Sequence, residues 1–147
     1  MKRLLATTDD PAFTVMRLVL GVVFFAHGSQ KVLGWFGGYG FSATMGVFTS
    51  QLHIPTVIAF LAIAAEFFGS LGLILGLLTR IAAFGIAANM VAAIVMVHMR
   101  FGFFANWSGH QQGEGYEYHL LVLALTIALM IGGGGALSAD RALSTQK

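Results

Sequence analysis

A glutamate stands in the middle of one of the most apolar stretches of this chain. Glu66 is the twelfth of the 23 residues from Pro55 to Leu77, whose other polar members are Thr56 and Ser70. A charged side chain at the centre of a bilayer costs about 3 kcal/mol on insertion scales, so Glu66 needs a cation, a proton or a hydrogen-bonding partner. Other polar groups interrupt the neighbouring apolar stretches. At ~1.5 Å per residue, His27 lies roughly 7 Å outward and Arg17 roughly 8 Å inward of the centre of the first. Asn89 sits at the centre of the third stretch and His98 about 12 Å outward of it. Glu117 and His119 open the fourth. The expected series descends from His98, Glu117 and His119 at an outer mouth, through His27, to Glu66. Such a gradient suits a proton path, or a pocket holding the polar head of a quinone-like molecule while its tail stays in lipid. The plainer alternative is a buried Arg17–Glu66 ion pair that fixes the helices, with the histidines capping helix ends.

The elements that must position these residues are membrane spans. The chain has 147 residues, 57% hydrophobic and 10% charged, against about 25% charge in a soluble domain, so these few ionic groups cannot clothe a water-facing surface. Four apolar stretches, 12–33, 55–77, 81–99 and 118–137, are each long enough to cross about 30 Å of hydrocarbon. The Gly132-Gly133-Gly134-Gly135 run makes the end of the fourth a place where a helix frays or packs closely. The tight connection Leu78-Thr79-Arg80 makes the second and third spans antiparallel neighbours. The fold expected is a single all-α domain over 1–147, a membrane four-helix bundle.

Lysine and arginine placement orients it. Lys2, Arg3, Arg80, Arg141 and Lys147 fall on one side and Lys31 and Arg100 on the other, which puts both termini in the cytoplasm. The segment Met1–Ala6 begins like a signal peptide, but Thr7-Thr8-Asp9-Asp10-Pro11 stops the apolar run early, so the segment is read as retained. In the first outer loop Phe41, Met45, Phe48 and Leu52 recur at helical spacing, which predicts a short interfacial helix. The second outer loop, Arg100 to Glu117, is aromatic and polar and reads as an aromatic belt or as a lid over a ligand mouth.

Several function classes drop out. A formal charge of +2 gives no basic surface for nucleic acid. Zero cysteines remove thiolate metal sites, iron–sulfur ligation and thiol nucleophiles. His27, His98, His110 and His119 could supply haem ligands, but no spacing singles out a pair, so haem is disfavoured and no metal is expected. No GxxxxGK[ST], GxSxG or HExxH pattern occurs.

Several motifs stand in a recognisable order: His27-Gly28-Ser29-Gln30-Lys31 leading to Gly34-Trp35-Phe36-Gly37-Gly38-Tyr39-Gly40, then Glu66-Phe67-Phe68-Gly69, Gly76-Leu77-Leu78-Thr79-Arg80, Gly102-Phe103-Phe104, and Gly113-Glu114-Gly115-Tyr116-Glu117-Tyr118-His119. In these the chain resembles the DoxX family of small four-helix membrane proteins. That resemblance implies the bacterial cytoplasmic membrane and association with quinone, catechol or oxidative-stress systems, without fixed catalytic roles to carry over. The function expected is a membrane component of a redox system, binding a quinone or similar small aromatic in an outward-opening pocket with no covalent cofactor. His27, Glu66, His98, Glu117 and His119 would handle protons. Gln30, Lys31 and Asn89 would contact the ligand, and Trp35, Trp107 and Tyr116 would wall its ring. The alternatives are a non-catalytic anchor that docks a soluble or membrane oxidoreductase through its outer loop, and a small-solute transporter helped by homo-oligomerisation.

Overall fold

A computed structural model describes residues 2–145, and all regular structure among them is helical. Lys147 and the side chains of Lys2 and Arg3, counted above for orientation, lie outside the described residues. A single turn, α1 (Lys2–Leu5), precedes helix α2 (Pro11–Val32). Asp10 caps α2 by accepting from the Ala12 N–H at 2.8 Å, with Pro11 in the first turn, where a missing N–H costs nothing. Helix α3 (Gly40–Gly46) continues into a π-helical turn, Val47–Gln51, and is the short loop helix expected from the 41–52 spacing. Helix α4 (Thr56–Leu75) follows Pro55. Helix α5 (Thr79–Ala93) runs on through a π-helical turn (Ile94–His98) and a 3-10 turn (Met99–Phe101). Helices α2, α4 and extended α5 have 22, 20 and 23 residues, about 33, 30 and 35 Å at 1.5 Å per residue, which is enough to span a bilayer.

The fourth apolar stretch forms a shorter helix than its length suggested. Helix α6 covers Glu117–Gly132, 16 residues rather than a run to 137. Gly133 takes φ +79, a conformation costly for residues with a side chain, and turns the chain off the helix axis. At about 24 Å, α6 is completed by irregular backbone between Gly133 and α7 (Ala139–Thr145).

That irregular backbone explains Arg17. Its guanidinium is almost fully buried, at 2% exposure. Nε donates to Gly134 O at 2.8 Å, and Nη1 donates to Leu73 O at 2.9 Å and Ile74 O at 2.6 Å. Nη2 donates to Leu137 O. The expected Arg17–Glu66 pair is therefore corrected: Arg17 serves the carbonyls that the end of α4 and the 134–137 turn leave without helical partners. Water is scarce at that depth, so such carbonyls must find donors inside the protein.

Close approach of the helices rests on small residues. A Cβ on Gly28 would lie 2.8 Å from Phe67 Cα, so α2 and α4 touch nearly backbone to backbone. Leu20, Phe24, Leu73, Ile86, Met90, Val122 and Leu129 fill the centre. Asp140 of α7 caps α5, accepting from Leu78 N at 2.7 Å and Thr79 N at 2.9 Å. Asp9 pairs with Arg141. Both termini thus meet at one end of the bundle, here the terminal end. The 33–55 and 102–116 connections occupy the other, the loop end.

Candidate functional site

At the loop end the helices enclose a cavity of about 540 Å³. Helix α2 contributes Phe24, His27 and Lys31, α4 contributes Ala62 and Glu66, and extended α5 contributes Asn89, Met90, Ala92, Ala93, Met96, Val97 and His98. The start of α6 adds Tyr118 and His119. Helical spacing puts His27 and Lys31 one turn apart on one face of α2, the face also carrying Phe24. Most of the wall is apolar, so its few polar groups stand out.

Glu66 finds its partner in Lys31, not Arg17. Lys31 Nζ donates to Glu66 Oε1 in an ion pair whose side chains are 28% and 8% exposed. Lys31 is the penultimate residue of α2, and its flexible stem lets the ammonium reach inward to the carboxylate. Asn89 lines the cavity while its Nδ2 donates to Ala62 O at 2.7 Å, tying α5 to α4. His98 and His119 face one another with ring centroids 4.1 Å apart. His98 Nδ1 lies 2.8 Å from Glu114 O. A carbonyl only accepts, so that nitrogen carries the hydrogen. His119 is 7% exposed, and its Nδ1 has no hydrogen-bond partner among the described residues. An unpaired buried nitrogen of this kind is costly.

The second loop is folded over this end. Glu117 Oε1 accepts from Ala105 N and Trp107 Nε1, both at 2.9 Å, and Glu114 Oε2 accepts from Asn106 N at 2.6 Å. Those donors hold the Glu117 carboxyl below the usual carboxylate range, the Ala105 N–H having the larger effect and the Trp107 N–H the smaller. Ala105, Glu114 and Gly115 from this loop line the cavity, so the loop roofs it.

The expected site residues therefore divide. His27, Lys31, Glu66, Asn89, His98 and His119 share one cavity. Glu117 stands outside its wall as the clamp of the roof. Gln30 donates instead to Phe36 O at 3.2 Å. Trp107 is 89% exposed and Trp35 53%, and Tyr116 packs edge-on against Phe103 at 5.5 Å. None of these last three lines the cavity, and its aromatic wall consists of Phe24, Phe48 and Tyr118. Tyr118 lies one helix position before His119, a placement that only the start of α6 could reveal. The signal for Lys31 was present in sequence, as the one cation near the outer ends of the first two spans.

Comparison with known proteins agrees with this architecture. The DoxX family profile matches residues 12–99, from α2 through the end of the α5 π-turn. "Putative oxidoreductase CatD" of Bacillus subtilis (strain 168) is 28% identical over 78% of this chain and 75% of its own length. "Uncharacterized membrane protein Rv3486" of Mycobacterium tuberculosis (strain ATCC 25618 / H37Rv) is 32% identical over 97% of this chain and 87% of its own. "Inner membrane protein YqjF" of Escherichia coli (strain K12) is 29% identical over 92% and 95%. No solved structure matches the chain. With more than half of the chain under the family profile and three apolar helices long enough to cross a bilayer, this protein belongs to the DoxX family of membrane proteins.

Proposed function

We propose that this protein is the membrane-embedded component of a redox system and that the loop-end cavity holds a quinone or similar small aromatic ring. The observation that carries this reading is a Lys31–Glu66 ion pair and a His98–His119 pair set in one otherwise apolar cavity of about 540 Å³. That volume lies within the ~300–1,000 Å³ of small-molecule sites, which are largely apolar with a few placed polar groups. Reduction of a quinone to the hydroquinone takes up two electrons and two protons. Lys31, Glu66 and His27 orient the head group and exchange protons with its oxygens, and His119 and His98 pass protons toward the loop end. The electrons come from an oxidoreductase partner, soluble or membrane-bound. In this reading both termini lie in the cytoplasm, which the distribution of lysine and arginine supports, and the cavity lies toward the opposite face.

The test is binding and turnover of a short-chain benzoquinone by the purified protein in nanodiscs, alone and with a candidate electron donor. Glu66→Gln and His27→Ala are each expected to weaken quinone binding at least tenfold. Binding and quinone-dependent activity unchanged in both variants would overturn the reading. A second reading, a non-catalytic anchor, draws on the exposure of Trp107 (89%) and Tyr39 (87%) at the loop end. It predicts that activity travels with a gently co-isolated oxidoreductase and survives both cavity substitutions.

A further inference from the structure

The cavity is closed toward the loop end and open along one side. Its roof is the 102–116 loop, clamped by Glu114 and Glu117. The seam between α4 and α5 behaves differently along its length. Toward the terminal end it is tight, with Ala65 Cβ 3.0 Å from the position a Cβ on Gly85 would take. The Asn89–Ala62 hydrogen bond ties the two helices further along. One and two turns beyond it, Ala92 and Met96 both line the cavity and lie exposed on the outside of the bundle, Met96 at 42%.

Phe48, Leu52 and Ile54 also line the cavity. They belong to a strap in which the π-turn Val47–Gln51 is followed by His53 at φ +55, a left-handed conformation unusual for a residue with a side chain. The facing lip, Ile94–His98, is also a π-turn. Such turns interrupt regular helix packing and gather at functional sites. Ala92 and Met96 are the 14th and 18th of the 23 residues from Thr79 to Phe101. At 1.5 Å per residue they lie about 3 and 9 Å from the helix centre, within the ~15 Å half-thickness of the hydrocarbon layer. The gap therefore faces acyl chains, not water.

We propose that the α4–α5 gap between the Phe48–Ile54 strap and Ala92/Met96 is a lateral portal. The ligand is accordingly a lipid-dissolved amphiphile, with its polar ring inside and its hydrocarbon tail leaving through the gap. This rests on the reading of the cavity as a ring-binding site and narrows its substrate class: a water-soluble phenol or catechol has no direct route in. His119 Nδ1, buried and without a partner among the described residues, is available to hydrogen-bond the ring beside the other polar groups of the cavity.

The chain has no cysteines, so single ones can be placed cleanly. Met96→Cys is made in the full chain in nanodiscs and treated either with lipid-soluble pyrene maleimide or with a charged, water-soluble methanethiosulfonate. Pyrene maleimide is expected to react, and the charged reagent to react at least tenfold more slowly than it does with Trp107→Cys. Two probes share one dimethoxy-methyl-benzoquinone ring, one without a tail and one with a decyl tail. The pyrene adduct is expected to slow association of the decyl probe at least tenfold and that of the tailless probe less than threefold. Equal slowing of both probes, slowing of neither, or fast reaction of Met96→Cys with the charged reagent would each overturn the portal. If the unmodified protein binds neither probe, the ring-binding reading fails, and the reagent rates still decide on which side the cavity opens. Ala92→Cys, one turn away, repeats the experiment if Met96→Cys does not fold.

Discussion

Arg17 and Glu66 are the two buried ionic groups most easily mistaken for partners, and a double-mutant cycle separates them. Arg17→Met removes four hydrogen bonds to carbonyls. Leu73 O keeps a second donor, the Gly76 N–H at 3.2 Å, so three acceptors, those of Ile74, Gly134 and Leu137, lose the partner described. An orphaned buried acceptor costs about 1–3 kcal/mol. The lower end applies because removing the guanidinium also relieves its own burial, giving a loss of about 3 kcal/mol. Glu66→Gln leaves the Lys31 ammonium without its carboxylate in a largely apolar cavity, and the Lys31–Glu66 coupling is expected at about 1–2 kcal/mol for a contacting pair. Arg17 and Glu66 share no bond, so Arg17→Met and Glu66→Gln should add within about 0.5 kcal/mol. The assay is reversible unfolding in mixed micelles titrated with SDS, followed by circular dichroism, for Arg17→Met, Lys31→Met and Glu66→Gln and for the two double variants that combine Glu66→Gln with Arg17→Met or with Lys31→Met. Coupling above about 1 kcal/mol between Arg17 and Glu66, or none between Lys31 and Glu66, would refute the assignment of partners.

Other expectations follow from the same packing. Gly28→Leu must push α4 away, because Phe67 backbone stands 2.8 Å from the first added carbon. Overpacking of this sort costs about 1–3 kcal/mol, read as a lower melting temperature in detergent, while Gly46→Ala, which meets nothing within 4 Å, should leave it unchanged. Asp140→Ala deprives α5 of its cap at Leu78 and Thr79 and should cost about 1–2 kcal/mol, with faster amide exchange at those two positions. The depressed pKa of Glu117 means that its clamp on Trp107 is complete above the ordinary glutamate value of about 4.3 and is lost as pH falls through the lower folded-state value. Trp107 fluorescence should therefore show an acid transition with a midpoint below about pH 4.3 that is absent in Glu117→Ala. A midpoint above it would contradict the hydrogen bonds assigned.

Much of the architecture was legible because a bilayer imposes a simple rule. Long apolar runs in 12–33, 55–77 and 81–99 had to be helices, and α2, α4 and extended α5 begin and end within about two residues of those limits. The loop helix was readable from the Phe41, Met45, Phe48 and Leu52 spacing, which α3 and its π-turn follow. The helical extent of the fourth apolar stretch was not, because hydropathy counts the glycines and Leu137 as apolar but ignores backbone conformation, and it is Gly133 at φ +79 that ends α6. Among the site residues, depth along each span ordered His98, Glu117 and His119 above His27 and Glu66; the structure puts His27, Glu66, His98 and His119 around one cavity with Asn89 and leaves Glu117 outside its wall. Rotation about each helix axis decided the rest, and single-span depth carries no such information. Tyr118 lines the cavity while Tyr116, two positions earlier, packs on Phe103.

Composition alone identifies the solvent. With 10% charge in 147 residues, the chain has to live in lipid, and its rare ionic groups must each have a reason to be there. Those reasons emerge from the folded chain. Arg17 closes backbone that is irregular at the end of a short fourth helix, and Glu66 belongs to Lys31, whose stem reaches from the penultimate residue of α2. The physical cause is that a buried charge selects its partner by three-dimensional reach and by which carbonyls the folded chain leaves unpaired, and neither is encoded in position along a span.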